Sequence, residues 1–454
     1  MTAIQEAAPQ SGSSSSLYAW YVVIVLMLAQ TCSFIDRMIM GLLVGPIRES
    51  FNITDTQYSL LAGLAFAAFY AIMGLPLARI ADSKSRRGLI AIGISFWSVM
   101  TAMCGLASSF WTLFLARVGV GVGEASLSPA AYSLITDYFP KKSLARALSV
   151  YTIGITIGSG LAYMIGGKVV AFALEIGEIV LPIVGNTEGW QLTFFLVGLP
   201  GIAIALLMLT VKEPPRKGRL VLEEDTGATT PAAGVPLREV AAFFLARRGA
   251  FASHILGLTI YVMVVFSLNI WGPEYLMRTF GMERADAGVS FGILMIVTGT
   301  AGLLTGGALA DRWFNKGILD GYSRVIVLSM GGMLPFALAL AIAPTAAIGL
   351  ACLGIATFFA AFQGGIAGGV IQLMTPNQMR GQAVALYFLV ANLLGMGLGP
   401  TAIAALTDYV FKDDAALNKS LALGAAILVP LGAIVLISGI GRVREAIAQA
   451  QAWD

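Results

Sequence analysis

ARIADSKSRR (residues 78–87) and GALADRWFNK (residues 307–316) decide how the rest of the chain is read. Each follows a long apolar run, places an acid after an alanine, and then turns basic. A second pair repeats the relation: FPKKSLARALSVY (residues 139–151) and TPNQMRGQAVALY (residues 375–387). Setting Pro140 on Pro376 lays Ala147 on Ala383 and Tyr151 on Tyr387. Loop motifs that recur between apolar runs predict two equivalent bundles, an arrangement that places a binding site between the repeats near mid-membrane.

Composition says what surrounds those bundles. The chain is 57% hydrophobic and 12% charged, with a mean hydropathy of +0.83. A soluble domain carries about 25% charge, so this chain lacks the polar surface to remain in water. A helix needs ~20 mainly apolar residues to cross a bilayer. Twelve such runs are present, at about 18–44, 57–81, 89–107, 110–136, 144–170, 190–211, 250–275, 285–310, 324–343, 346–374, 381–408 and 419–441. Their length, together with 52 glycines, favours closely packed helices over a barrel of alternating strands. The expected fold is all-α and integral to the membrane. It comprises an N-terminal six-helix bundle (17–211), a linker (212–249) and a C-terminal six-helix bundle (250–441), with a disordered tail (1–16) and a terminal tail (442–454).

An even number of spans puts both termini and the linker on one side. That side holds Arg79, Lys84, Arg86, Arg87, Lys141, Lys142, Arg146, Arg312, Lys316, Arg324 and Arg380 in its loops, besides the basic linker. The other side has only Arg48, Lys168, Arg278, Arg284, Lys412 and Lys419. The positive-inside rule makes the richer side cytoplasmic, in a multi-pass protein expected in a bacterial inner membrane. The linker opens with KEPPRKGR, passes through GATTPAAG, a flexible composition, and ends in PLREVAAFFLARRG, which reads as a short amphipathic helix at the membrane face. Residues 1–16 carry no basic n-region of a signal peptide. Cys32, Cys104 and Cys352 all fall in apolar runs and offer no disulfide framework. The single histidine, His254, has no neighbours for a metal cluster and reads as an interfacial side chain. No basic tract interleaves with aromatics, which argues against nucleic acid as a partner.

Four charges sit inside apolar runs: Asp36 and Arg37 in the first, Arg117 and Glu124 in the fourth. A charge at mid-bilayer costs at least ~2.5–3.5 kcal/mol, so such residues face a wet cavity or one another. Asp36 and Arg37 point about 100° apart on a helix. Arg117 and Glu124 are seven apart, two turns or ~10.5 Å, on one face. The expected pairing is Asp36 with Arg117, with Arg37 and Glu124 closing the network. Burial disfavours an ionised Asp36 and a nearby arginine favours it, a balance that makes a proton switch. A freed arginine then offers a planar fork to a phosphate. The plain alternative is a static ion-pair network that locks the bundle.

GxLADR after the second span of each half resembles the signature of the major facilitator superfamily. Asp311 and Arg312 match it in full; Asp82, Arg86 and Arg87 match it in the first half, where Ser83 replaces the usual base. RVGVGVGEA (residues 117–125) resembles that superfamily's motif in the fourth span. FIDRMIM (34–40), RRGLIAIGISFWSVMTA (86–102), GVGEASLSPAAYSLITDYFP (121–140) and the stretch from Tyr151 to Gly167 together are similar to the Spinster-like family. That resemblance implies transport of sphingosine-1-phosphate or lysophospholipids. It also implies that Asp36 binds the coupling proton and that Arg117 and Glu124 line the cavity.

The expected assignments follow. Asp36 and Glu124 are the proton-coupling candidates. Arg37, Arg117, Glu124, Tyr151, Asn269, Gln363 and Asn392 are the substrate-binding candidates, although the amides serve equally well in bonds between helices. Asp82, Arg86, Arg87, Arg146, Asp311 and Arg312, with Asp137, form either a latch that opens during alternating access or plain positive-inside anchoring. GVGVGE (residues 119–124) resembles a nucleotide loop only superficially, since no strand precedes it, and close helix packing explains it better. Enzymatic activity has no nucleophile–base set or metal cluster, and no Walker lysine points to ATP. The expected function is a monomeric, proton-driven secondary transporter, without cofactor, of an amphipathic anionic lipid. The alternative is a proton-coupled exporter of drugs or organic anions. A non-transporting receptor would leave the repeat unexplained.

Overall fold

The computed structural model describes residues 16–181, 185–215, 221–223, 229–231, 237–376 and 379–450. Among these, 12 helical stretches are long and apolar enough to cross a membrane. Spans one to six are Leu17–Leu42, Asp55–Gly74, Arg86–Cys104, Phe110–Tyr138, Arg146–Ile176 and Gly189–Met208. Spans seven to twelve are Arg248–Phe280, Arg284–Asn315, Gly321–Ala339, Ala346–Leu373, Gln382–Phe411 and Asp414–Ala450. In chain order, six spans precede the linker and six follow it. The repeat also holds at the level of packing, because Ala147 and Ala383 are both fully buried and Tyr151 and Tyr387 are nearly so.

Three local features differ from expectation. The last helix runs on to Ala450, through most of the stretch read as a terminal tail. Val443, Ala446, Ile447 and Ala450 are buried at three- and four-residue spacing, so this end keeps a packed face. A short antiparallel pair, Ile179–Leu181 with Gly185–Thr187, caps the turn between spans five and six. A second pair, Val221–Glu223 with Thr229–Pro231, lies within the linker. The expected amphipathic helix is present at Leu237–Ala246, with the Phe244 ring 4.6 Å from that of Phe251 on span seven. The expected tail at 1–15 and the last residues, 451–454, lie outside the described residues.

The halves meet along a seam of glycines between spans five and eight. A Cβ on Gly292 would lie 2.5 Å from the Gly160 carbonyl oxygen and 2.6 Å from the Met164 nitrogen. Backbone therefore rests on backbone, the contact that small residues permit in a membrane. Span eight carries a π-helical turn immediately after this seam (Met295–Gly299), and spans two and eleven carry others at Leu60–Leu64 and Ala391–Met396. Such turns interrupt regular hydrogen bonding and are frequent at functional positions.

Candidate functional site

The four intramembrane charges gather inside the N-terminal half. Asp36 and Arg117 are fully buried, Glu124 is 1% exposed and Arg37 5% exposed. Span four brings in two of them because glycine lets it lie close to its neighbours. A Cβ on Gly121 would meet the Phe66 carbonyl oxygen of span two at 2.5 Å, and one on Gly123 would meet the Trp97 nitrogen of span three at 2.9 Å. This is the packing role read for GVGVGE. The helix breaks just after Glu124, and a new one begins at Leu127.

The pairing departs from expectation. Arg37 donates from Nη2 to Glu124 Oε2 at 2.6 Å, and Ser33 donates its hydroxyl to the same oxygen at 2.6 Å. The Arg37 guanidinium also lies 4.6 Å from the ring centroid of Phe34, 4.4 Å from Phe66 and 4.9 Å from Tyr70. Arg37 is thus the centre of the cluster, held by one acid and a cage of aromatic faces. Arg117 does not pair with the Asp36 carboxylate. Its Nη1 donates to the Asp36 main-chain oxygen at 3.3 Å, and its guanidinium lies 5.5 Å from the Phe66 ring centroid. Both Asp36 carboxylate oxygens, Arg117 Nε and Nη2, and Glu124 Oε1 are buried without a hydrogen-bond partner. The physical reason is rotational: span one turns Arg37 toward Glu124, which leaves Asp36 on another bearing, facing spans three and four.

The polar substrate candidates fall into two groups. Tyr151 is buried, and its hydroxyl donates to Gln30 Oε1 at 2.6 Å, which ties span five to span one. Asn269 and Asn392 each donate their side-chain amide to their own helix, at Val265 and Phe388. Gln363 is half-buried near the start of the second helix of span ten. No hydrogen bond joins these three amides to the charged cluster.

The motif residues at the linker side bind within one half. Arg86 pairs with Asp137 and, at 2.8 Å, with Glu213, the second residue of the linker. The Arg87 main-chain N–H and the Ser85 hydroxyl also donate to Glu213, at 2.9 and 3.0 Å. The basic pair thus moors the linker to the N-terminal half. Arg146 lies over the Trp20 ring, Asp311 accepts from the Tyr322 hydroxyl at 2.6 Å, and Arg312 is exposed. Asp82 is placed by its backbone alone, in the last turn of helix Ala65–Ser83.

Among the described residues, most polar contacts that cross between halves cluster on the opposite face, and apart from Tyr163 they fall on residues that the motifs do not mark. A capping box of Thr54 and Gln57 starts span two and sets Asp55 and Thr56 in its first turn. Arg278 of span seven grips Asp55 with two bonds, at 2.6 and 2.9 Å. Arg48 bridges Asp55 at 3.0 Å and Asp414 at 2.8 Å. Thr56 donates to Asp408 from both its N–H and its hydroxyl, Ser59 meets Thr401, and Tyr163 donates to the Asn269 carbonyl. Arg284 donates to the Leu42 carbonyl oxygen. This face is latched shut.

Comparison with known proteins accounts for the repeat and the paired loop motifs. The family model of the Major Facilitator Superfamily matches residues 26–400. The chain belongs to the Major Facilitator Superfamily. As a transporter of this superfamily it is not an enzyme, and it is related to the Spinster proteins. An "MFS-type efflux pump" of Mycolicibacterium smegmatis is 30% identical over 435 residues, covering 93% of this chain and 91% of the relative. Protein spinster homolog 1 of Xenopus tropicalis is 29% identical over 409 residues, covering 87% of this chain and 74% of the relative. Among solved structures, a bacterial homologue of the human lysosomal transporter Spinster, in an inward-facing and unoccupied conformation, superposes with a TM-score of 0.73. It is 28% identical, and the match covers 97% of this chain and 99% of that one.

Proposed function

We propose that this transporter is proton-coupled and carries an amphipathic anionic lipid, of the lysophospholipid or sphingosine-1-phosphate type, by alternating access. The observation that carries the reading is the unequal pairing of the buried quartet. One acid, Asp36, has no hydrogen-bond partner on its carboxylate, while two arginines stand close by, one with two unbonded guanidinium nitrogens and one tied to a single acid. Intramembrane ionisable groups that lack a structural partner are functional by default. A proton on Glu124 cancels its charge and releases Arg37, which the aromatic rings keep in place. The arginine fork then meets a phosphate or other anionic head group with two parallel hydrogen bonds. Asp36 is the second proton site. Arg117 is shut behind Phe66 in this conformation and is reached only after a rearrangement. The Lys and Arg bias places the linker face in the cytoplasm, so the latched face looks outward and substrate enters from the inner side or the inner leaflet. The relation to Spinster proteins and to a bacterial pump supports a place in a bacterial inner membrane. A second reading, favoured by the name of the Mycolicibacterium relative, is proton-coupled export of drugs or organic anions through the same acids.

Proteoliposomes under an imposed pH gradient separate these readings. Labelled lysophospholipid and ethidium are offered to the wild type and to the Asp36→Asn, Arg37→Ala and Arg117→Ala variants. The lipid reading expects gradient-driven accumulation of the lysophospholipid, lost in Asp36→Asn and in the arginine variants. Accumulation of ethidium alone would replace it with the exporter reading, and undiminished accumulation by Asp36→Asn would remove Asp36 from coupling.

A further inference from the structure

The Asp36 carboxylate accepts no hydrogen bond, although Arg117 stands near it on the main-chain side, and two donors stand beside it on span three. Span three lies against this face of span one: a Cβ on Gly201 would sit 2.0 Å from Ser98 Oγ and 3.6 Å from Cys32 Sγ, one turn before Asp36. The Trp97 indole and the Thr101 hydroxyl flank Ser98 on the same helix, near the carboxylate. Both are fully buried, and neither polar atom has a hydrogen-bond partner. They are four residues apart and so lie on one face of the helix. An orphaned acceptor and two orphaned donors at one buried locus are costly unless they bond to one another in some state of the cycle. We propose that Trp97 and Thr101 are positioning residues of the proton site, donating to the Asp36 carboxylate when it is ionised, so that span three rather than Arg117 holds the charged acid. This rests on the proton-coupled reading given above.

The neighbouring groups leave that task to span three. Arg37 is occupied by Glu124, and Arg117 is anchored to the Asp36 main chain at 3.3 Å with the carboxylate left unbonded. Cys32 on the same helix and Cys104 on span three are the nearby thiols that feel the Asp36 charge, and a thiol is only a weak donor. Span three is clamped from two sides. A Cβ on Gly198 of span six would lie 3.0 Å from the Ser98 carbonyl oxygen and 3.1 Å from Thr101 Cβ. A Cβ on Gly123 of span four would lie 2.8 Å from Trp97 Cβ. The donors are therefore fixed, and a small rotation of span one closes the bonds. On protonation the Thr101 hydroxyl reverses its role and accepts from the new carboxyl O–H, since a hydroxyl both donates and accepts.

The test is an infrared titration of the protonated-carboxyl band in purified protein, with the Asp36 band assigned by its absence in Asp36→Asn. Hydrogen bonds to the ionised form favour it. Thr101→Val and Trp97→Phe are each expected to move the half-point upward by about one pH unit, a tenfold gain in proton affinity. Thr101→Ser, which keeps the hydroxyl, restores the wild-type half-point. Ser98→Ala leaves it unchanged, because the Ser98 hydroxyl faces Gly201 on span six. Melting in detergent confirms that each variant is folded, and Thr101→Ala replaces the valine variant if that does not fold. Wild-type half-points in both Trp97→Phe and Thr101→Val overturn the proposal. Gradient-driven uptake that survives Asp36→Asn overturns the coupling reading instead, whatever the infrared result.

Discussion

Replacing Asp55 with asparagine tests the latch. The Asp55 carboxylate is wholly buried and serves two arginines, one of them from the other half of the protein. Removing one partner from a buried ion pair costs ~3–5 kcal/mol. That value is too high here, because the Arg278 and Arg48 side chains are 12% and 20% exposed and each keeps a second acid, Glu274 and Asp414. About 1.5–3 kcal/mol is the reasonable range after that discount. The Asp55–Arg278 bonds exist only while the face is closed, so most of this energy separates closed from open. At ~1.4 kcal/mol per factor of ten, the closed population falls roughly 10- to 100-fold relative to the open one. A protein closed on this face in about 99 of 100 molecules falls to a closed-to-open ratio between about 10:1 and about 1:1. The assay is a spin-label distance measurement between cysteines introduced at the exposed residues Glu49 and Lys419, one in each half. The native cysteines Cys32, Cys104 and Cys352 are buried and do not compete for label. Asp55→Asn should add a longer distance that the wild type lacks. Asp413→Asn, an exposed residue that only caps Ala415, should not. An Asp55→Asn distribution that superposes on the wild type refutes the latch as the element holding this face shut.

Two further outcomes follow from the same geometry. Arg37→Met or Glu124→Gln alone leaves a buried charge without its partner and should lower stability by ~3 kcal/mol, whereas the double variant should melt above either single one. Strictly additive losses in that thermal-melting cycle would mean that the two side chains are not coupled. At the mouth of the linker, burial opposes the ionisation of Glu213. The Arg87 N–H, the Arg86 side chain and the Ser85 hydroxyl outweigh it and hold the carboxyl below its usual range. An acid lowered on folding stabilises above its unfolded-state value, about 4.3, and that contribution is lost as pH falls through the folded value. The melting difference between wild type and Glu213→Gln should be full at pH 7 and vanish toward pH 3. A difference that stays constant over that range contradicts the mooring.

The spans, the repeat and the clustering of four charges were legible because each is a one-dimensional property: run length, spacing and helical period. Which acid meets which base was not. Asp36 and Arg37 are adjacent, so the pairing depends on how far span one is rotated against span four, and packing sets that rotation through contacts such as Gly121 against Phe66. The opposite-face latch escaped notice because its residues sit at helix ends, where a charge ordinarily meets water. A signal was nevertheless present. Arg48, Arg278 and Arg284 are basic residues on the side where the charge bias makes them scarce, and all three are bonded in the structure. The arginines on that side are the engaged ones, whereas Lys168, Lys412 and Lys419 are exposed. Arg86 and Arg87 read as part of a latch or as plain anchoring; the acid that they hold, Glu213, was not legible because its position is a property of the folded end of span six.

The glycine seam between spans five and eight bears on how little energy a working cycle requires. A side chain buried in a closing interface loses rotamer freedom, at up to ~1.5–2 kcal/mol for the longest ones, while glycine has none to lose. Where Gly292 meets Gly160, shutting or parting the two halves freezes and frees almost nothing. The open and shut forms can then lie close in free energy, with their balance left to polar groups that water readily replaces. One proton moving down one pH unit yields only ~1.4 kcal/mol. A seam where backbone meets backbone at Gly160 and Gly292, with few side chains such as Ile296 and Met164 to order, lets so small a quantum of work turn a molecule of this size over.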